Sequence, residues 1–295
     1  MKTMFPRLKA RIAQNRKQFI AYTILRTLVL ITAIRCLFTH NYESFAICML
    51  SLVLFLMPSF LERMFRVEIP PVFQVIIYLF IYAAEILGEV NKYYTAIPGW
   101  DTMLHTINGF LCAAIGFSLF NILNRGSSFI KLSPFYMALV AFCFSMTVGV
   151  VWEFFEFAAD QFLHMDMQKD FIVTDFASVT LDATRSQIPV QVSDITATVI
   201  QTADGSTYNI QGGYLDIGIL DTMKDLMVNF VGAVVFSIIG FLYEYHHKEK
   251  SLATGLMIRP LTEEGLQAIE EDIQEKLTKK KKRSATKEKN NSEKS

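Results

Sequence analysis

The hydrophobic pattern of this chain is a series of long, nearly unbroken apolar runs divided by short polar segments. Six windows, at about 18–38, 45–61, 70–90, 102–123, 134–158 and 222–243, are long enough or nearly so to cross roughly 30 Å of hydrocarbon as helices. The second is the shortest. The pattern predicts an all-α membrane protein, a bundle of about six transmembrane helices spanning 18–243. Between the fifth and sixth runs the pattern changes, because 160–220 is polar and too long for a connection without structure of its own. Within it Ile195–Ala203 and Ser206–Gln211 are rich in Thr, Val, Ile and Tyr, with Asp204-Gly205 between them. That arrangement predicts a β-hairpin closed by a type I′ turn, with Gly212-Gly213 loosening the return to the membrane.

After residue 243 the chain turns polar. Leu266, Ile269, Ile273 and Leu277 recur at three- and four-residue intervals amid acidic residues, predicting one amphipathic cytoplasmic helix. The Lys279–Arg283 run that follows suits anionic headgroups, so membrane lipids are expected partners and nucleic acid is not.

Composition agrees with this reading. The 295 residues are 52% hydrophobic and include 25 Phe, 11 Tyr and 13 Met, which is too apolar and aromatic for an ordinary soluble domain. Net charge is zero, but Lys and Arg gather in 1–17, 62–69, 124–133 and the tail, and are sparse in 39–44, 91–99 and 160–220. The last of these carries only Lys169 and Arg185 against eight Asp. Basic loops stay in the cytoplasm, so six crossings with both termini inside satisfy every segment, and a bacterial plasma membrane is the expected location. The basic residues 1–17 precede an apolar run too long for a signal core, which reads as a retained span. Cys36, Cys48, Cys112 and Cys143 lie in or beside apolar runs without metal or redox spacing and read as packed or lipid-facing thiols.

The candidate chemistry lies in three polar stripes. Asp101 and His105 stand four apart at the start of the fourth span. Glu153, Glu156 and Asp160 stand at i, i+3 and i+7 at the end of the fifth, and Asp221, Asp225 and Asn229 at i, i+4 and i+8 at the start of the sixth. With alternating span direction, all three fall at one membrane depth, on the outer side. Each such group costs roughly 2.5 to 3.5 kcal/mol at a helix centre and less near the headgroups, which makes the set a functional-site candidate. Confined carboxylates around an imidazole need a divalent metal, shared protons or a cationic ligand. Oxygen donors favour Mg²⁺, Ca²⁺ or Mn²⁺, and the histidine keeps Zn²⁺ open. Glu153, Asp225 and His105 are the candidate catalytic groups in a metal-assisted hydrolase or transferase. Glu85 and Glu89 form a candidate fourth wall, and Lys224 and Arg35 are placed to hold a phosphate.

Other readings stand beside this one. Asp101 and Asp221 are well placed as helix N-caps, Trp100 and Trp152 as interfacial anchors, Gly109, Gly149 and Gly232 as close-packing points, and Arg26 to snorkel or pair with Glu85. A cation- or proton-coupled transporter would use Glu85, Glu153 and Asp225 as a relay. A non-catalytic scaffold would use the hairpin and the basic tail.

Taken in order, Trp100-Asp101-x-x-x-His105-x-x-x-Gly109, Trp152-Glu153-x-x-Glu156-x-x-x-Asp160 and Asp221-x-x-x-Asp225-x-x-x-Asn229-x-x-Gly232 resemble the YjdF-like family of uncharacterised bacterial inner-membrane proteins. The pattern is more distantly similar to VanZ-like proteins, whose founding member is associated with resistance to a lipoglycopeptide antibiotic. The resemblance covers roughly 85–243, implies a cell-envelope role with a lipid-linked or envelope small molecule as ligand, and supplies no reaction. The insertion before Asp221 departs from it.

Overall fold

The computed structural model describes residues 16–126, 131–246 and 255–261. Most of the basic segment 1–17, the amphipathic helix expected over 266–277 and the Lys279–Arg283 run lie outside them. Among the described residues six helices are long and apolar enough to cross a membrane: Arg16–Phe38, Tyr42–Phe65, Pro71–Val90, Trp100–Asn124, Pro134–Leu163 and Ile219–His246. The protein is a helical membrane protein with a small β insertion. The chain divides into two compact units. One comprises 1–100, 114–141 and 237–295, and the other 101–113 and 142–236.

In the first unit, α1 (Arg16–Phe38) buries one narrow stripe, Leu25, Val29, Ala33 and Cys36, against Cys48, Phe55, Tyr78, Ile86 and Val90. Its other faces present Ile24, Ile31 and Ile34 more than half exposed, which hydrocarbon rather than water would cover. The second span is longer than the sequence pattern suggests. It breaks into α2 (Tyr42–Leu54) and α3 (Met57–Phe65) at Phe55-Leu56, just before Pro58, whose ring and missing N–H fit only a first helical turn. The third span begins as α4 (Pro71–Ile81) and continues as a π-helical segment, Tyr82–Val90, that carries Glu85 and Glu89. Gly88 admits the Tyr94 ring there, since a Cβ would lie 2.8 Å from Tyr94 Cζ. A short α5 (Tyr93–Ala96) follows.

The buried polar group of this unit closes on itself. Glu62 Oε1 accepts from the Ile69 N–H at 2.9 Å and from Gln74 Nε2 at 2.7 Å. Gln74 Nε2 also donates to the Ile69 carbonyl, while Gln74 Oε1 accepts from Gln18 and from the Tyr78 hydroxyl. Strand β1 (Val67–Glu68) pairs with Arg259–Pro260, and Leu256, Met257 and Ile258 are buried. Arg26, read from the sequence as snorkelling or pairing with Glu85, donates to the Tyr22 hydroxyl at 2.6 Å, one turn back on its own helix.

Helices α6 (Trp100–Gly126), α7 (Pro134–Leu163) and α8 (Ile219–His246) contribute residues to both units. The second unit also holds the insertion, which begins at 164 because α7 runs further than the apolar pattern. The expected hairpin forms as β5 (Ala197–Gln201) with β6 (Thr207–Gln211), and two further antiparallel ladders accompany it: β2 (Ile172–Val173) with β7 (Tyr214–Leu215), and β3 (Phe176–Ser178) with β4 (Val190–Val192). The β5–β6 turn is not the type I′ expected. Only Gly205 has positive φ, and its N–H donates to the Thr202 carbonyl at 3.0 Å. Asp204 accepts from the Ser206 N–H and the Thr202 hydroxyl, which holds it outside the left-handed region. Gly213 is tight rather than loose, since a Cβ there would meet the Val173 carbonyl and lie 2.8 Å from Ile172 Cγ2, while Gly212 supplies a left-handed φ of 88°. In the β3–β4 loop, Asp182 accepts from the N–H and hydroxyl of both Thr184 and Ser186, at 2.6 to 2.9 Å. These hydroxyl bonds, foremost that of Thr184, hold its carboxyl well below the usual aspartate range.

Candidate functional site

Three helices of the second unit are pinned together by small residues, and the site stands one turn from each pin. On α6, Gly109 lies so close to α8 that a Cβ would collide with the Asn229 carbonyl; on α8, Gly232 answers it, its Cβ position 2.8 Å from the Phe110 nitrogen. Ser145 Oγ on α7 donates to the Gly109 carbonyl at 2.7 Å, and the Asn229 amide fills the space a side chain on Gly149 would take. Such close backbone approach is how helices associate where no hydrophobic drive separates protein from lipid. Four residues from Gly109, Gly149 and Asn229, toward the same end of the unit, stand His105, Glu153 and Asp225.

These side chains converge. His105 Nε2 lies 3.5 Å from Asp101 Oδ1 and 4.0 Å from Asp225 Oδ2, and His105 Nδ1 lies 3.8 Å from Glu153 Oε1. Asp225 is 1% exposed, Glu153 4% and His105 9%. One donor atom from each of Asp101, His105 and Asp225 lies within 4.8 Å of the others. The separations are too long for good hydrogen bonds. The two measured from Nε2, 3.5 and 4.0 Å, match the roughly 3 to 4 Å between donors bound to one ion at about 2.1 Å, whereas Glu153 faces the other ring nitrogen. Among the described residues three buried side-chain atoms lack a hydrogen-bond partner, and two are here: Glu153 Oε2 and Asp225 Oδ1. Buried polar atoms are normally satisfied, and an orphaned carboxylate oxygen costs on the order of 1 to 3 kcal/mol or more.

The other predicted residues are employed differently. Glu156 is buried and accepts from the Trp152 indole N–H at 2.8 Å, one turn away on α7. Asp160 accepts the N–H groups of Met167 at 2.6 Å and Gln168 at 2.9 Å, turning the chain out of α7. Asp221 sits inside α8 rather than capping it, accepting the Lys169 N–H at 2.8 Å and facing Lys224 Nζ at 3.4 Å. Lys224 Nζ also lies 3.8 Å from Asp225 Oδ1 and over the Phe171 ring. Asn229 belongs to the helix crossing, with its Oδ1 3.5 Å from the Asn108 amide nitrogen. Arg35, Glu85 and Glu89 belong to the first unit, where Arg35 donates to Asn91 at 3.4 Å.

Asp216 escaped sequence reasoning. It accepts the N–H groups of Phe171, Gly218 and Leu220, and so caps α8 while holding the incoming strap 165–171. The signal was present as an Asp two residues before a glycine at the edge of an apolar run, which is an N-terminal cap pattern. Gln168 donates to the Thr222 hydroxyl and ties the same strap to α8.

The arrangement is that of a largely buried cluster of carboxyl groups around one imidazole, and the first two stripes fall inside a recognised sequence family. Residues 20–184, more than half of the chain, match the model described as "Predicted membrane protein (DUF2238)". The chain belongs to this family. The DUF2238 match includes Asp101, His105, Glu153 and Glu156 and ends before Asp221 and Asp225. An uncharacterized protein of Thermotoga maritima is 28% identical over 106 residues, which are 36% of this chain and 53% of that protein. The chain thus spans about half the length of the curated relative it matches. No solved structure matches this DUF2238 protein.

Proposed function

We propose that the chain binds a divalent cation through Asp101, His105 and Asp225, with Glu153 beside them, and uses it to engage a polar headgroup of the cell envelope. The observation that carries this reading is the pair of buried carboxylate oxygens, Glu153 Oε2 and Asp225 Oδ1, left without a hydrogen-bond donor next to an imidazole that faces three carboxylates. A mixed nitrogen and oxygen donor set suits Mn²⁺ or Zn²⁺ better than Mg²⁺ or Ca²⁺, which prefer oxygen alone. The distribution of Lys and Arg supports an extracytoplasmic position for this end of the spans and cytoplasmic termini in a bacterial plasma membrane. The likeness of the three motifs to YjdF-like and VanZ-like proteins supports an envelope ligand. With a cation bound, Glu153 is the carboxylate placed to act as general base in a hydrolase or transferase.

A proton relay across the membrane is less well supported. No Asp, Glu, Lys, Arg or His occurs in 106–124 or 226–243, so α6 and α8 offer no ionisable group beyond His105 and Asp225 until their far ends. Metal analysis of the purified full-length protein tests the main reading. Near-stoichiometric Mn²⁺ or Zn²⁺ is expected, with Asp225→Asn and His105→Ala each weakening binding by at least about a hundredfold, in line with the loss of a ligand. A well-folded wild-type protein with no affinity for either ion would overturn it.

A further inference from the structure

Lys224, on α8, sets an ammonium at the exposed edge of the carboxylate cluster. Lys224 Nζ lies 3.4 Å from Asp221 Oδ1, 3.8 Å from Asp225 Oδ1 and 5.7 Å from the centre of the Phe171 ring. Phe171 is itself fixed, its N–H donating to Asp216 at 2.7 Å and its carbonyl accepting from the Asp216 N–H at 3.0 Å. The Lys224 side chain is 40% exposed, whereas those of Asp221 and Asp225 are 6% and 1%. Asp225 is therefore shared: Oδ2 faces His105, and Oδ1 faces the ammonium at a distance beyond hydrogen bonding.

We propose that Lys224 is the anion-recognising residue of this site, and that the ligand it selects carries a phosphate group which binds only after a divalent cation is in place. This rests on the metal reading above. Before metal enters, the ammonium serves as counter-ion to Asp221 and Asp225, and the cluster of Asp101, Glu153, Glu156, Asp221 and Asp225 repels any anion. A divalent ion on Asp225 takes over that neutralisation and frees the ammonium from one of its two carboxylates. Lys224 then stays anchored by Asp221 and the Phe171 face at the exposed margin of the site, adjacent to the ion. A tetrahedral phosphate suits such a pair, since one oxygen can reach the metal and another the ammonium, and lysine binds phosphate as a compact point charge. Phosphate is also the anionic group that lies at headgroup depth. Asp221 acts through Lys224 as a positioning residue.

Reciprocity supplies the test, because two ligands that favour each other must each tighten the other. Mn²⁺ affinity of the purified full-length protein would be measured in detergent with and without inorganic phosphate, and in phosphatidylcholine nanodiscs with and without phosphatidic acid. A tightening of about tenfold is expected from the phosphate-bearing additive, and it should vanish in Lys224→Met while Mn²⁺ alone binds that variant as well as or better than wild type. Tightening by inorganic phosphate assigns the free ion as sufficient; tightening by phosphatidic acid alone assigns a lipid headgroup. Asp221→Asn should reduce the coupling without abolishing Mn²⁺ binding. Mn²⁺ binding that neither additive changes, or a coupling that survives in Lys224→Met, overturns the proposal while leaving the metal site intact. Failure of the wild-type protein to bind Mn²⁺ or Zn²⁺ at all removes both.

Discussion

Both units bury polar side chains, and they settle them in opposite ways. Around Gln74 in the first unit, the amide nitrogen has two acceptors, the amide oxygen has two donors, and Glu62 takes the Ile69 N–H. Around His105 in the second, side chains stop short of one another at 3.5 to 4.0 Å, and two buried carboxylate oxygens have no donor within hydrogen-bonding distance. A closed network stabilises the fold, because every desolvated group recovers a bond. An open one stores an unmet demand that a guest can meet. Within the second unit the same contrast separates Asp160 and Asp216, committed to backbone N–H groups, from Asp225 and Glu153.

The contrast can be broken first at its foundation. Gly232→Val forces a side chain into the Thr106 carbonyl and the Phe110 nitrogen, and should cost about 3 kcal/mol or more, seen as loss of folded protein in detergent. Gly126→Ala, whose Cβ would meet nothing within 4 Å, should leave stability unchanged.

A sharper comparison pairs one residue from each network. Gln74→Leu removes one donor each from Glu62 and the Ile69 carbonyl, and the shared acceptor of Gln18 and Tyr78, and should lower stability by roughly 1 to 3 kcal/mol. Asp225→Asn in chelator-treated protein removes a buried carboxylate with no hydrogen-bond donor on Oδ1 and leaves Lys224 paired with Asp221, so thermal unfolding should occur at the same or a higher temperature. If both substitutions destabilise alike, the two networks are equivalent and the functional reading of the second loses its basis.

The smallest effect concerns pH at the β3–β4 loop. The Asp182 carboxyl is depressed in the folded state, so the order it provides is fully present above the ordinary aspartate pKa of about 3.9 and is lost only as pH falls through the lower folded value. Amide resonances of Thr184 and Ser186 should therefore hold their positions through about pH 4 in wild type. Asp182→Asn should shift both at every pH.

Much of this was legible in the chain. The six spans follow from run length alone, and the three stripes follow from residues four apart on helices of alternating direction, so the antiparallel meeting of Asp101, Glu153 and Asp225 needed only a period of 3.6 and a count of crossings. What the residues do there was not legible. Asp160, Asp221 and Asp225 look alike in sequence, but one turns the chain, one holds a strap and a lysine, and one is left open. The type I′ turn expected at Asp204-Gly205 gave way because local hydroxyl and amide donors captured Asp204. The break at Phe55-Leu56 and the π-helical turns at Tyr82–Val90 likewise escaped an apolar pattern that specifies only that a segment is buried in lipid.

By itself the sequence determined that this protein crosses a membrane repeatedly and carries its ionisable groups at one end of three spans, because hydrocarbon tolerates only helices and charges only where something balances them. The tertiary structure alone decided which carboxylates are satisfied. That depends on where backbone N–H groups of the strap 165–171 arrive, a matter of contacts between residues up to about fifty positions apart, such as Lys169 and Asp221, which no local spacing encodes.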